Sequence, residues 1–303
     1  MKAPPYRTLG AFLHERFGRK VWKIPLDAGL SCPHRDAGRK GGCIYCSARG
    51  SGTGAYDAGL SVAEQLARGI EKMSRRAKVG AFIAYFQSFS NTYAPLETLT
   101  SLYDCVLDFP EVVGMAIGTR PDCIDEARLD LVSWYARERI VWMEYGLQSA
   151  HDDTLRAINR GHDVQAFVDA VNLTRGRGLR QCAHVIIGLP GEGMDHYIET
   201  ARFVSSLPVT DVKIHLLYVI LGTPLEDMLR NDLYRPLDLQ EYAQAAAMFI
   251  GHLRQDIVIQ RITGDPRPDE LAAPAWALNK TAVLQEIARV MERLGITQGS
   301  LAR

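Results

Sequence analysis

The feature that most restricts the fold is a repeated alternation of short β-rich runs with amphipathic stretches. VWKIPL (21–26), AFIAYF (81–86), VVGMAI (112–117), RIVWMEYG (139–146), QCAHVIIG (181–188) and VKIHLLYVI (212–220) are all of strand length. Between the first two, Ser61 and Glu64 stand at capping-box spacing, and Val62, Leu66, Ile70 and Met73 fall on one helical face, which predicts a crossover helix. Six strands joined by right-handed crossovers make a parallel sheet, and periodicity leaves a doubly wound sheet and an incomplete barrel both open. Either arrangement puts chemistry at the carboxyl ends of the strands. QSFSNT, GTRPD, EYGLQS, GLPGEG and GTP all follow strands there. From about Leu225 the pattern changes to an extended segment, a helix, DIVIQRITGD and a terminal helix near 279–294. This predicts two parts, 1–225 and an appended 226–303.

The loop after the first strand carries Cys32, then Cys43 and Cys46 as C-x-x-C, among glycines, prolines and charges. Zinc wants four ligands, and His34 could complete such a set. A redox pair from Cys43 and Cys46 would ordinarily open a helix in a smaller fold. Three thiolates also suit three irons of a [4Fe–4S] cube, leaving the fourth iron open to a small ligand. All three readings stand on the residues alone. Cys105, Cys123 and Cys182 read as small core residues.

Bulk properties exclude other classes. No apolar run approaches the roughly 18 residues of a membrane helix. The opening MKAPPYRTLG lacks the pattern of a secretory signal, so a cytoplasmic location and reduced thiols are expected. Lys and Arg number 35 and Asp and Glu number 35, which argues against general nucleic-acid packaging. Charge is nevertheless uneven. Lys2, Arg7, Arg16, Arg19, Lys20, Lys23, Arg35, Arg39 and Lys40 face only Glu15, Asp27 and Asp36 in the first forty residues, with EKMSRRAK (71–78) adding more. This is either a solvated face or a phosphate-facing surface.

CPHRDAGRKGGCIYC, TRPDC, EYGLQSAHDDTLRAINRGH, HVIIGLPGEG and VKIHLLYVILGTPL, in that order, resemble the radical S-adenosylmethionine (SAM) superfamily. Within it they are most similar to a group of short bacterial proteins related to the catalytic subunit of Elongator, sharing that group's long first cysteine spacing. The acetyltransferase domain of that subunit has no counterpart, so its acetyl-CoA reaction is not implied. The resemblance implies an α/β fold, a partial (β/α)6 TIM-like barrel with a small C-terminal α+β extension. It further implies a [4Fe–4S] cluster on Cys32, Cys43 and Cys46, with SAM on the open iron as the source of a 5'-deoxyadenosyl radical. The implied partners are a tRNA wobble uridine, or alternatively a small molecule or peptide, and reduced flavodoxin or ferredoxin as electron donor. A non-catalytic zinc scaffold is the contrasting possibility.

Site residues follow by position. Relatives hold the SAM amino group with a Gly-Gly-Glu-like segment after the second strand. This chain has FQSFSNT there, which offers Gln87, Ser88, Asn91 and Thr92. Thr119 and Arg120 stand where relatives face the ribose or substrate. Glu144 and Gln148 occupy the fourth strand end, where a buried carboxylate calls for a partner, either a polar cofactor or an ion pair. Arg160 resembles the arginine that clamps the SAM carboxylate, and His184 stands where some relatives have an acid. His184 is either a contact to ribose or substrate or a core histidine.

Overall fold

The computed structural model describes residues 4–35, 41–47, 49–50, 55–77 and 80–302. Lys2, Asp36, Arg39, Lys40 and Lys78 of the basic stretches lie outside the described residues. The chain runs α1 (Leu9–Phe17), β1 (Val21–Leu26), α2 (Val62–Ala77), β2 (Ala81–Phe86), α3 (Leu96–Asp104), β3 (Val112–Thr119), α4 (Glu126–Tyr135), β4 (Ile140–Gln148), α5 (Asp152–Ala157) and α6 (Val164–Thr174). It continues through β5 (Arg180–Ile187), α7 (Met194–Ser206), β6 (Asp211–Leu216), β7 (Val219–Ile220), α8 (Pro224–Arg230), α9 (Leu239–His252), β8 (Val258–Arg261), β9 (Leu271–Ala273) and α10 (Lys280–Leu294). The expected crossover helix is α2, and its capping box forms: Ser61 N donates to Glu64 Oε2 at 2.8 Å and Glu64 N to Ser61 Oγ at 3.2 Å.

Seven strands pair in the order β1-β2-β3-β4-β5-β6-β8, every pair parallel. The six expected runs supply six of them. The seventh, β8, comes from the region after 225, while β7 and β9 form a separate antiparallel pair. The sheet is curled into a half-barrel. Lys23 of edge strand β1 shows the curl directly, because its Nζ reaches Gln260 Oε1 of the opposite edge strand, β8, at 2.6 Å. Outside that edge, Ile259 N donates to Arg7 O at 2.8 Å, so β8 is not left as an open pairing edge.

Period-two alternation sorts each strand into two faces. Phe82, Phe86, Met115, Ile117, Val141, Met143, Val185, Val212 and Ile214 point outward into the core beneath the helices. The inward face differs by height. At the amino ends, Ile83, Ala116, Ile140, Trp142 and Cys182 pack against Leu13, with Leu9, Phe12 and Phe17 of α1 closing the bottom. Cys182 is therefore a core residue, as expected. On β3 the inward positions are Gly114, Ala116 and Gly118, and a Cβ at Gly114 would lie 2.6 Å from Ile140. These small residues leave interior volume to the bulkier neighbours on β2 and β4, and above them to a cavity.

Candidate functional site

The cavity opens at the carboxyl ends of the strands and has a volume of about 340 Å³. Cys32, Cys43 and Cys46 line it together with Arg160, Arg120, Thr119, Gln148 and His184. The loop holding the thiols is anchored from several elements. Ile44 N donates to Ile158 O at 3.1 Å, Asn159 Nδ2 to Gly42 O at 2.7 Å, and Leu225 N to Ile44 O at 3.0 Å. Cys32 Sγ lies 3.4 Å from Ser90 Oγ, and Arg35 Nη1 lies 3.7 Å from Cys46 Sγ.

Three thiols in one place cannot all ionise cheaply. Burial pushes Cys43 upward, but the charge of Arg160 and hydrogen bonds from His34 and Arg160 outweigh it and bring the thiol to about 6. Cys46 goes the other way, to about 12, through burial and the neighbouring Cys43 charge. Burial also raises Cys32. One thiolate is thus ready, and the other two give up their protons only to a cation that takes the sulfur.

Spacing tests which cation fits. A single zinc ion at about 2.3 Å from each sulfur needs tightly gathered thiolates. Among the described residues, the one set of three or more His, Cys, Asp or Glu ligand atoms all within 4.8 Å of one another is Glu144, Cys182 and His184, not the cysteine loop. The three loop thiols are not gathered that closely, although all three line one cavity. The tight set is not an ion site either, because two ammonium groups already occupy its carboxylate.

Arg160 crosses the cavity wall. Its Nη1 approaches Cys43 Sγ at 3.6 Å, its Nη2 donates to Gly146 O at 2.8 Å, and its buried Nε has no protein partner. That orphaned donor fits an anionic ligand group. A Cβ at Gly146 would stand 2.4 Å from Arg160 Nη2 and 2.5 Å from Gln148 Nε2, so any larger residue there would displace the ends of these two side chains. The strand breaks register at this point, and Gln148 adopts φ 73°, the left-handed region, which turns its side chain into the cavity.

Below the cysteines lies an ionic floor. Glu144 accepts from Lys23 at 2.9 Å, from His184 Nε2 at 3.0 Å and from Lys213, whose ammonium also sits 3.9 Å from the Tyr85 ring centre. Burial pushes the Glu144 carboxyl up, but Lys213 and Lys23 hold it well below the usual range. Burial and the Lys213 charge bring His184 down to about 4 despite Glu144. Among the two readings of Glu144, the structure supplies the ion pair.

Other expected residues divide clearly. Gln87, Thr119, Glu144, Gln148, Arg160 and His184 line the cavity; Ser88, Asn91 and Thr92 do not. Asn91 Nδ2 is spent on Ser88 O and Gly118 O, both at 2.9 Å, and Thr92 Oγ1 on Thr119 Oγ1 at 2.7 Å and Cys123 O at 2.6 Å. They brace the loop that carries Gln87. Ser88 is buried, with its hydroxyl unpartnered.

The basic segment needs correction. Arg16, Arg19 and Lys20 are exposed, but they precede β1 and lie at the amino ends of the strands, where Arg19 approaches Gly80 before β2. The cavity is at the other end. Lys23 is not a surface base, because β1 turns it inward to Glu144. Sequence reasoning also passed over His215, Tyr218 and Arg261, which line the cavity. The alternation of Lys213 and His215 with apolar neighbours inside a central strand was the available signal.

Comparison with known proteins agrees with this geometry. Residues 31–204 match the Radical SAM superfamily and residues 209–293 the Radical_SAM C-terminal domain. Protein YtqA of Bacillus subtilis is 39% identical over 295 residues, which are 97% of this chain and 92% of YtqA. Human Elongator complex protein 3 is 28% identical over 195 residues, 59% of this chain and 35% of that protein. The structure of Elp3 from the archaeon Methanocaldococcus infernus, with an N-terminal deletion, superposes with a TM-score of 0.71 at 16% identity, covering 92% of this chain and 64% of that one. Its likeness shows the same half-barrel fold.

Proposed function

This chain belongs to the radical SAM superfamily, whose enzymes use a [4Fe–4S] cluster and SAM, and from that premise we propose that Cys32, Cys43 and Cys46 hold the cluster for a tRNA wobble-uridine side-chain modification. The observation that carries the site is three thiols around one cavity at the strand carboxyl ends, beside a buried arginine with an unpartnered Nε. Together the two cofactors supply reductive cleavage of the carbon–sulfur bond of SAM and a 5'-deoxyadenosyl radical.

The chain's own residues bind, orient and shield. Arg160 presents its free Nε to the SAM carboxylate while Gly146 O and Cys43 fix its plane. Gln87, Gln148 and Thr119 offer amide and hydroxyl groups to the amino and ribose groups of SAM. Neutral His184, held by Glu144, faces the cavity as a hydrogen-bonding group without added charge. The plug of α1 under Trp142 and Cys182 closes the barrel bottom, so water and oxygen are kept from that side.

Similarity to Elongator complex protein 3 supports the RNA substrate. At the cavity mouth, Arg49 and Arg267 share Glu270, while Arg261 and Lys280 share Asp265; with exposed Asp269, the four cations face three carboxylates and keep one positive charge in excess. Such a rim suits a phosphate backbone, and reduced flavodoxin or ferredoxin in the cytoplasm is the proposed electron donor. Placement of Arg16, Arg19 and Lys20 away from the mouth favours the second reading, a small-molecule or peptide substrate. Mass spectrometry of wobble uridines from cells with and without the gene decides between them. Loss of a modified nucleoside with accumulation of its precursor is expected, and an unchanged nucleoside profile in cells expressing the protein would move the substrate to the second reading.

A further inference from the structure

His34 sits where a fourth zinc ligand was conceivable, yet its ring is committed elsewhere. Its Nδ1 lies 2.5 Å from Arg120 Nη1, and its Nε2 lies 3.7 Å from Cys43 Sγ. A guanidinium only donates, so Nδ1 must accept. The ring's proton then stands on Nε2 and points at the cysteine sulfur.

Arg120 cannot easily turn away from this task. Its Nε donates to Asp122 Oδ1 at 2.8 Å and its Nη2 to Asp122 Oδ2 at 2.6 Å. The same guanidinium donates from Nη1 to Arg160 O and from Nη2 to Gly161 O, both at 2.8 Å. Gly161, at φ +77°, packs against both partners: a Cβ there would lie 3.0 Å from Arg120 Nη1 and 3.3 Å from His34 Cδ2. Four hydrogen bonds and a glycine therefore fix Arg120, and its remaining N–H fixes the imidazole.

We propose that Asp122, Arg120 and His34 form a positioning chain that aims one N–H at Cys43 Sγ and sets the reduction potential of the cluster that this thiolate helps to hold. The proposal rests on the cluster assignment above. A donor to a ligating sulfur withdraws charge from it, and the effect is greater for the more negative reduced cluster, so the donor makes reduction easier. Arg160 reaches the same sulfur but is also the group assigned to the SAM carboxylate; His34 also lines the cavity, but its two ring nitrogens are spent on Arg120 and the sulfur, which makes it the better probe.

The test compares His34 variants of the full chain, reconstituted anaerobically with iron and sulfide and titrated by spectroscopic redox potentiometry. His34→Leu removes the donor. His34→Asn can still accept from Arg120 but is too short to reach Cys43. His34→Gln places an amide N–H near the original Nε2. Expected are wild-type iron and sulfide contents in all three, midpoint potentials more negative than wild type for Leu and Asn, and a potential close to wild type for Gln. Arg120→Leu is expected to shift in the same direction, with no further shift on adding His34→Leu. Equal potentials across the series overturn the proposal, as does a Gln variant shifted as far as Leu. Failure of Leu and Asn to take up iron while Gln does so also overturns it, because His34 would then serve assembly and not potential. Failure of the wild type to form a cluster would strike the cluster assignment itself.

Discussion

Arg160 Nη1 lies 3.6 Å from Cys43 Sγ, a contact between residues 117 positions apart that fastens the cysteine loop to the turn after α5. The same guanidinium satisfies the Gly146 carbonyl of β4 at 2.8 Å, so one side chain ties loop, strand and cavity together.

Replacing Arg160 with Ala is expected to weaken SAM binding to the cluster-loaded protein roughly 10- to 150-fold, the loss of about 1.5 to 3 kcal/mol for a charge-assisted contact. Arg160→Lys keeps charge but not the planar fork and should fall between. Calorimetric titration with SAM reads both, and an unchanged affinity in Arg160→Ala rejects this arginine as the carboxylate's partner.

The ionic floor makes stability depend on pH on the acid side. His184 in the folded protein is brought down from 6.5 to about 4, so between these values the unfolded chain binds a proton that the folded one refuses. Stability therefore falls as pH drops from 6.5 toward 4. Glu144, held below its ordinary 4.5, stabilises the fold above that value, and this contribution is lost as pH falls through its lowered folded value. Thermal melts of the apoprotein should show both, and His184→Gln should lessen but not abolish the slope between 6.5 and 4, because burial also brings His162 down to about 4 and His215 well below its ordinary value. Glu144→Ala leaves Lys23 and Lys213 without their carboxylate and should cost about 3 to 5 kcal/mol. A pH-independent melt over this window would contradict the reading.

Much of this architecture was legible in the chain. Strand runs at period two, the Ser61–Glu64 capping box and the Cys32, Cys43, Cys46 loop all act locally, and each is where the sequence indicated. Long-range facts were not legible. Lys23 looks like its exposed neighbours Arg19 and Lys20 in sequence, and only the strand's alternation together with the curl of the sheet turns it onto Glu144, 121 residues away. Asn91 and Thr92 read as ligand groups because their type fits. Their bonds to Gly118 O, Thr119 and Cys123 O depend on the exit geometry of β3, which no local pattern reports.

Charge at the two ends of the barrel gives separate outcomes. Changing Arg261 and Arg267 to Gln should weaken tRNA binding and flatten its salt dependence, since each lost phosphate contact lowers the salt slope by about 0.9 on a duplex. Changing Arg16, Arg19 and Lys20 to Gln should leave that slope and reductant-driven SAM cleavage as they were, because these residues lie at the amino ends of the strands. Filter binding across a salt series checks both sets, and the reverse pattern would place the RNA surface at the barrel bottom.

Iron and acid-labile sulfide analysis of the anaerobically reconstituted protein, beside Cys32→Ala, Cys43→Ala, Cys46→Ala and the core control Cys182→Ala, tests the central assignment most directly. Four irons and four sulfides per chain are expected for the wild type and Cys182→Ala. Each loop variant should lose the cluster, together with 5'-deoxyadenosine production from SAM under a strong reductant, while helical content survives. One zinc per chain in place of iron and sulfide, or a full cluster with undiminished SAM cleavage in Cys43→Ala, would contradict the account.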